Sequence, residues 1–300
     1  MNRSANIIFV FVCFLGLSGI RAQDSLLDIL AKERKDTTLL TMATFKTTRL
    51  SVAQSVETRK KGALQLYFGT RYWNIPMEEP RNSFLVDRFS AQFGFDYAFT
   101  DRFTTSFSVN TFDGVLNGFL KYRLLRQTDD NKVPFGITAL QSTSLLTREY
   151  NGIRLPRMQS DRFFFTQQLI IARKFNRNLS LQIAPTYIHA TWPQPTLGRT
   201  DFFALGLGGR YRIGKHTELT SEYHWVANRD QGPEGYNSFA IGLNWEIGDV
   251  TMQMHMTNTK SFDEASSILL TPNNFNFEDG GLHIGVNAIF ILHLKKQKLK

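Results

Sequence analysis

The stretch Phe89-Ser-Ala-Gln-Phe-Gly-Phe-Asp-Tyr-Ala-Phe99 decides how the rest of the chain is read. Phe89, Ala91, Phe93, Phe95, Tyr97 and Phe99 alternate with Ser90, Gln92, Gly94, Asp96 and Ala98. A period of two over this length is a strand with one apolar and one polar face. The next segment repeats the pattern, with Phe103, Thr105, Phe107 and Val109 set against Thr104, Ser106, Ser108 and Asn110. So do Phe203 to Ile213, Phe239 to Ile247, Met252 to Met256 and Leu282 to Leu292. Twelve such segments are read, at about 62–71, 88–99, 102–110, 116–126, 134–145, 162–173, 180–190, 202–213, 217–226, 237–247, 250–257 and 281–294. In 116–126 Leu120, Tyr122 and Leu124 share the apolar phase. In 162–173 the run Phe163-Phe164-Phe165 leaves the phase open.

The connections select the architecture. Loop 72–87 is long, and short links follow at Thr100-Asp101, Phe112-Asp113-Gly114 and Thr128-Asp129-Asp130-Asn131; thereafter long loops at 146–161, 191–201, 227–236 and 258–280 alternate with short links at Asn176-Arg177-Asn178, Gly214-Lys215-His216 and Gly248-Asp249. Tight turns at one end and long loops at the other, on strands of about nine to eleven residues, are the pattern of an outer-membrane barrel. A secreted β-sandwich is the soluble alternative. Its strands are shorter, and it does not require the loop alternation. The fold class expected is therefore all-β, a transmembrane antiparallel up-and-down barrel of about twelve strands spanning 62–294.

Composition agrees. The 300 residues are 42% hydrophobic and include 26 Phe but a single Cys. That excludes a disulfide framework and a thiolate metal site. The chain has no run of eighteen apolar residues, so a bundle of membrane helices is excluded as well. Arg3, the apolar stretch Ile7 to Ile20 and the small residue Ala22 read as a secretory signal peptide over 1–22, cleaved after Ala22. Net charge is +9, and +7 once Arg3 and Arg21 leave with that leader. Export argues against nucleic acid as partner. The basic tail 295–300 is explained as a solvated terminus. Residues 23–61 break the period. They read either as a periplasmic leader, with a short helix near Asp24 to Leu30, or as a segment lying in the lumen as a partial plug.

The runs Ala43-Thr-Phe-Lys46-x-Thr48-Arg49, Ser55-Val-Glu-Thr58-x-Lys60-Lys-Gly62, Gly94-Phe-Asp-Tyr97-x-x-Thr100-Asp-Arg102, Asp113-Gly114 and Gly118-Phe-Leu-Lys-Tyr-Arg123 resemble those of a family of uncharacterised β-barrels of the Bacteroidetes outer membrane. Glu222-Tyr223, Tyr236-Asn-Ser-Phe239 and Gln253-x-His255-x-Thr257-Asn258 follow in order. Related members carry Gly-Gly-His before the penultimate strand, where Gly248-Asp249-Val250 stands here. The resemblance implies an outer-membrane barrel and assigns no chemistry.

Chemistry is then sought on the polar phase, which a barrel turns inward. Lys121, Arg123, Arg210, Arg212, Glu218, Glu222, His224, Asn244, Glu246, Gln253 and His255 are the expected pore-lining set. Hairpin pairing should set Arg210 and Arg212 against Glu218 and Glu222, Glu246 against Thr251, and Asn244 against Gln253. Unpaired charge in a narrow lumen is costly, so a charge-paired wall is the plain account. A polar track for a solute is the functional one. The histidines and carboxylates follow no metal spacing, and no catalytic set, metal or cofactor is assigned. His189 falls on the outward phase near a rim, where a lipid hydrolase would place its histidine; its neighbour Thr191 is a poor nucleophile. Trp192, Trp225, Trp245, Tyr122, Tyr211 and Tyr223 are read as interfacial girdles. Glycines of Gly206-Leu-Gly-Gly209 are read as allowing tight lumen packing. Three functions follow: a narrow or gated channel for a small solute, a barrel enzyme acting on outer-membrane lipid, or a docking barrel that meets a protein partner through loops 146–161 and 258–280.

Overall fold

In the computed structural model the described residues are 39–73, 87–112, 114–148, 156, 158–193, 198–229, 235–271, 273–276 and 281–294. The signal peptide, the helix expected near Asp24 to Leu30 and the basic tail lie outside them.

Twelve antiparallel strands form a closed barrel. They are β1 (Ala63–Trp73), β2 (Arg88–Ala98), β3 (Phe103–Asn110), β4 (Val115–Leu125), β5 (Gly136–Leu146), β6 (Phe163–Lys174), β7 (Leu179–Ala190), β8 (Asp201–Arg212), β9 (Thr217–Val226), β10 (Phe239–Ile247), β11 (Val250–Thr257) and β12 (His283–His293). Each pairs with its sequence neighbours, and β1 pairs with β12 from Ala63↔His293 to Tyr72↔Ile284. Closure is what a bilayer demands, because hydrocarbon offers no partner for the backbone groups of an open edge. A smaller unit brings residues 39–40 to 128–132 through the bridge Leu40↔Thr128.

The alternation read in the sequence becomes an inside and an outside. Phe93, Phe95, Phe107, Leu120, Tyr122, Leu124, Phe203, Leu243 and Met254 are exposed on the outer wall. Their strand neighbours Gln92, Asp96, Ser106, Lys121, Arg123, Ala204, Asn244 and Gln253 are buried. The phase left open in β6 resolves with Phe164 inward, at 0% exposure, and Phe165 outward. Outer-wall rings pair across strands: Phe68 and Phe93 lie 5.0 Å apart, Tyr187 and Phe203 5.3 Å. Such pairs stabilise the sheet beyond the apolar area they cover.

A helix, α1 (Glu264–Leu269), interrupts the β11–β12 connection. Asp263 caps it by accepting from the Ser266 amide, and all its residues are buried. Ala265, Ile268 and Leu269 join Val115, Leu146, Phe164, Phe202 and Val226 in one apolar cluster. Every one of those strand residues lies at the long-loop end of its strand. α1 therefore sits inside the long-loop mouth, held by the inward apolar residues there. Trp192 belongs to the same cluster, with its ring 5.1 Å from Phe164. It is an interior packing residue rather than part of an interfacial girdle. Trp225 and Trp245 remain exposed on the outer wall.

Replacing Phe93 by Arg puts a charge at the middle of β2 on the lipid face and should cost about 2–4 kcal/mol of folding free energy. Denaturant titration of folding into lipid vesicles checks this, with the conservative Phe93→Leu close to the parent.

Candidate functional site

The chain's own residues 41–61 enter the turn-end mouth, and 44–56 of them occupy the lumen. Thr41 donates to the Gln127 carbonyl (2.9 Å), and the Met42 carbonyl accepts from Lys174 Nζ (2.7 Å). At the other end of the segment the Lys61 amide donates to Asp101 Oδ1 (2.8 Å). Gln127, Lys174 and Asp101 all follow or end strands at the short-turn end, so the segment goes in and comes out through the same mouth. Between these points it doubles back. The Leu50 amide donates to Ala53 O (2.8 Å), the Ser55 amide to Thr48 O (2.9 Å), and Arg49 bridges Gln54. This inner hairpin, residues 48–55, is buried almost throughout.

Few of its backbone groups can pair within so short a turn, and an orphaned buried amide or carbonyl is costly. The wall supplies the partners. Glu222 accepts the tip amides, Val52 N–H at 2.6 Å and Ala53 N–H at 3.0 Å. Ser51 Oγ lies 2.9 Å from Thr220 Oγ1, and Asn287 donates to Ser51 O (3.0 Å). Gln253 donates to Leu50 O. Lys121 Nζ, whose residue is 1% exposed, donates to Thr48 O (3.0 Å) and Gln54 Oε1 (3.3 Å). Gln182 donates to Gln54 O (2.8 Å). Arg123 and Thr138 both donate to Val56 O (3.2 and 2.7 Å), and Arg123 also pairs with Glu57 at 2.5 Å. Arg210 donates to Thr44 O (2.7 Å) and Ala43 O (3.1 Å) and pairs with Glu218 at 2.5 Å.

Nine residues of the expected lining set are thus buried in the interior: Lys121, Arg123, Arg210, Glu218, Glu222, His224, Asn244, Gln253 and His255. Arg212 and Glu246 lie nearer the turn end and are only partly buried. Glu246 pairs with Lys46 of the inner segment (2.8 Å). The expected pairing of both arginines with both glutamates needs correction. Arg212 does stand opposite Glu218 in the ladder. Its guanidinium, however, donates to the turn carbonyls of Gly214 and Lys215 (2.9 and 2.8 Å), and Arg210 takes Glu218. Glu222 has no arginine partner among its bonds and serves the hairpin instead. Asn244 faces Gln253 and Glu246 faces Thr251, as the two-residue turn requires.

Residues outside the expected set complete the interior. Arg49 of the hairpin lies over the rings of Tyr67 and Phe119, with its guanidinium carbon 5.0 and 5.6 Å from their centroids. Its Nη1 is 3.8 Å from Glu264 of α1. Glu264 also accepts from Gln54 (2.9 Å) and Asn117 (3.1 Å). One carboxylate on the long-loop closure therefore holds the hairpin that comes from the turn end. Arg71, fully buried, stacks on Phe262 at 4.4 Å. Outside the strands, burial lowers the Arg59 guanidinium from its ordinary value, with the Asp96 charge opposing. Burial raises the Asp263 carboxyl, with the Ser266 amide opposing. A signal for the hairpin was present in the sequence. A Cβ on Gly208 would stand 2.5 Å from Leu50 Cδ1, and one on Gly242 2.5 Å from Ser51 Oγ. These inward glycines make room for the hairpin as well as for their wall neighbours, Gln182 beside Gly208 and His255 beside Gly242.

His189 sits on the outer wall near the long-loop rim, its Nδ1 2.9 Å from Asp201 Oδ1. Tyr187 and Thr200 also donate to Asp201 (2.5 and 2.6 Å), while Thr191 bonds the Phe163 backbone. No serine is among these partners.

A family model described as a membrane bound beta barrel domain (DUF5777) matches residues 45–292. The chain belongs to this family. The matched range begins at Phe45, so the inner hairpin lies within the family domain along with all twelve strands. No curated protein matches the chain. Among solved structures it is similar to the NanC porin, at 10% identity and a TM-score of 0.49 over 76% of this chain and 99% of that one. It is also similar to an outer membrane channel from Pseudomonas putida F1, at 14% identity and 0.47 over 79% and 98%. A third is outer membrane phospholipase A from Escherichia coli, at 10% and 0.44 over 81% and 98%.

Arg210→Ala leaves Glu218 buried without its cation and should cost about 3–5 kcal/mol. Arg210→Met combined with Glu218→Leu should recover much of that loss. Denaturant unfolding of the single and double variants measures both.

Proposed function

We propose that this protein is an outer-membrane channel for a small polar solute, closed at rest by its inner hairpin and by α1. The observation that carries this is the chemistry of the contact between wall and hairpin. Lys121, Arg123, Gln182, Arg210, Glu222, Gln253 and Asn287 all present polar side chains to the backbone of the hairpin and the residues flanking it, 44–56. A barrel that served only as a solid post would be filled as well or better by apolar side chains, since buried charge contributes little net stability. A wall of this composition is instead ready to be hydrated: when the hairpin withdraws, water can replace each hydrogen bond it loses. Twelve strands also leave an interior between the filled eight-stranded barrel and the open porin. In this reading residues 1–22 are the export signal, cleaved after Ala22, and the inward set from Lys121 to His255 lines the passage once it opens.

Because both ends are occupied, opening requires both closures to move. Glu264, bonded to Gln54 and near Arg49, couples them. A solute or partner that takes over the Glu264 carboxylate from the long-loop side would loosen the hairpin from within.

In planar bilayers the full-length chain should be largely silent. Deleting residues 41–61 together with shortening the 259–271 loop should give steady openings, and Glu222→Ala combined with the same shortened loop should give brief ones. Silence of all three, with the barrels shown to be folded by their heat-dependent gel mobility, would refute the channel reading.

A further inference from the structure

The outer wall carries a groove of about 750 Å³ across β3 to β9. Its floor is made of short side chains, Ala139 on β5 and Pro185 on β7. Tyr122 rises on one side, and Phe203 and Trp225 on the other. Two glutamines lie in it on the lipid-facing phase. Gln141 is at the centre of β5, and Gln167 stands directly opposite it on β6. The row continues to Tyr187 and then Phe203. Polar side chains facing hydrocarbon at mid-strand are expensive and mark function by default. Gln141 Nε2 donates only to the Ser142 carbonyl (3.1 Å), and Gln167 makes no side-chain hydrogen bond among the described residues.

The backbone is open at the same place. Between β6 and β7 the ladder pairs Gln168↔Thr186 and resumes at Ile171↔Ile183, skipping Leu169 and Ile170. Pro185 lies in the skipped stretch and has no N–H to give, whereas on its β8 side it pairs normally with Leu205. Two amides and an interrupted ladder therefore converge in an otherwise apolar trough, at a depth where neither water nor an ordinary acyl chain offers a hydrogen bond.

We propose that this groove binds a membrane lipid whose acyl chain carries a hydroxyl group part-way along its length. The chain methylenes would lie against Tyr122, Ala139, Phe203 and Trp225, and the hydroxyl would both donate to and accept from Gln141 and Gln167. The occupant comes from the bilayer because the groove lies wholly on the wall that faces it. A second barrel presents a convex wall, which cannot reach the floor of a trough. The inference is independent of whether the lumen conducts.

The test uses full-length protein in mild detergent, with either diricinoleoyl phosphatidylcholine or dioleoyl phosphatidylcholine added, two lipids that differ by one hydroxyl on each chain. Native mass spectrometry counts the lipid retained. The expected result is about tenfold stronger retention of the hydroxylated lipid, the size of one to two net hydrogen bonds. That preference should vanish in Gln141→Leu/Gln167→Leu, and Ala139→Trp, which fills the trough, should retain neither lipid. Ala288→Trp on the outward phase of β12 should behave as the parent, and heat-dependent gel mobility confirms that each variant is folded. Equal retention of the two lipids by the parent overturns the proposal. So does a preference that survives the double substitution, or a dimer mass with no lipid bound.

Discussion

Backbone polar groups cannot be left without partners in hydrocarbon, and most of this structure follows from that constraint. It requires β1 to find β12, which closes the sheet and sorts every strand residue to lipid or lumen. Closure then creates a second difficulty, because the inward phase holds Arg71, Lys121, Arg123, Arg210, Glu218 and Glu222, all buried. Charges withdrawn from water need partners as much as backbone groups do. The inner hairpin answers both needs together. It is a short run of buried amides and carbonyls, few of them paired with one another, and the wall is a set of donors and acceptors with little else opposite them. Glu222 on the Val52 and Ala53 amides, and Lys121 on the Thr48 carbonyl, are the same exchange with opposite polarity.

The two closures differ in kind. At the turn end the hairpin is held by hydrogen bonds and ion pairs, with Phe45, Leu50 and Val56 also packed on Ile170, Ala172 and Ala184 of the wall. At the long-loop end α1 is held mainly by apolar contact with Phe164, Phe202 and Val226. Water competes well for the first kind and poorly for the second. In the proposed channel the hairpin is accordingly the part more open to release by hydration or a competing ion, and α1 the part that a ligand at the loops would pull away. Glu264 and Arg49, 3.8 Å apart, stand where the two meet.

What could be read from the sequence follows the same division. Strand positions, register at Gly248-Asp249 and, outside β6 with its run Phe163-Phe164-Phe165, the inside-outside phase were legible because a bilayer imposes a period of two on the strands. The inner hairpin was legible only as one of two readings of residues 23–61, a partial plug set against a periplasmic leader. Met42 to Thr58 shows no period because its partners are wall side chains far away in sequence rather than a neighbouring strand. Arg210 and Glu218 were recognisable as partners, whereas Glu222 was not recognisable as a cap for two amides. Its ladder position, opposite Gly208, suggested nothing about a segment 170 residues earlier. Trp192 misled because aromatic residues near strand ends usually sit at the interface, whereas here α1 gives one of them a dry interior to fill. Gly208 and Gly242 were the usable clue, since an inward glycine in mid-strand marks a close approach.

The central claim is that residues 48–55 sit inside the barrel against β9 in the membrane-embedded protein. A disulfide between Ser51→Cys and Thr220→Cys tests it directly, since the two hydroxyl oxygens lie 2.9 Å apart. In lipid vesicles under mild oxidation the pair should cross-link nearly completely within one chain, and a Ser51→Cys/Thr251→Cys pair much less. Failure of the first pair to cross-link in folded protein, or equal cross-linking of both, would contradict the account.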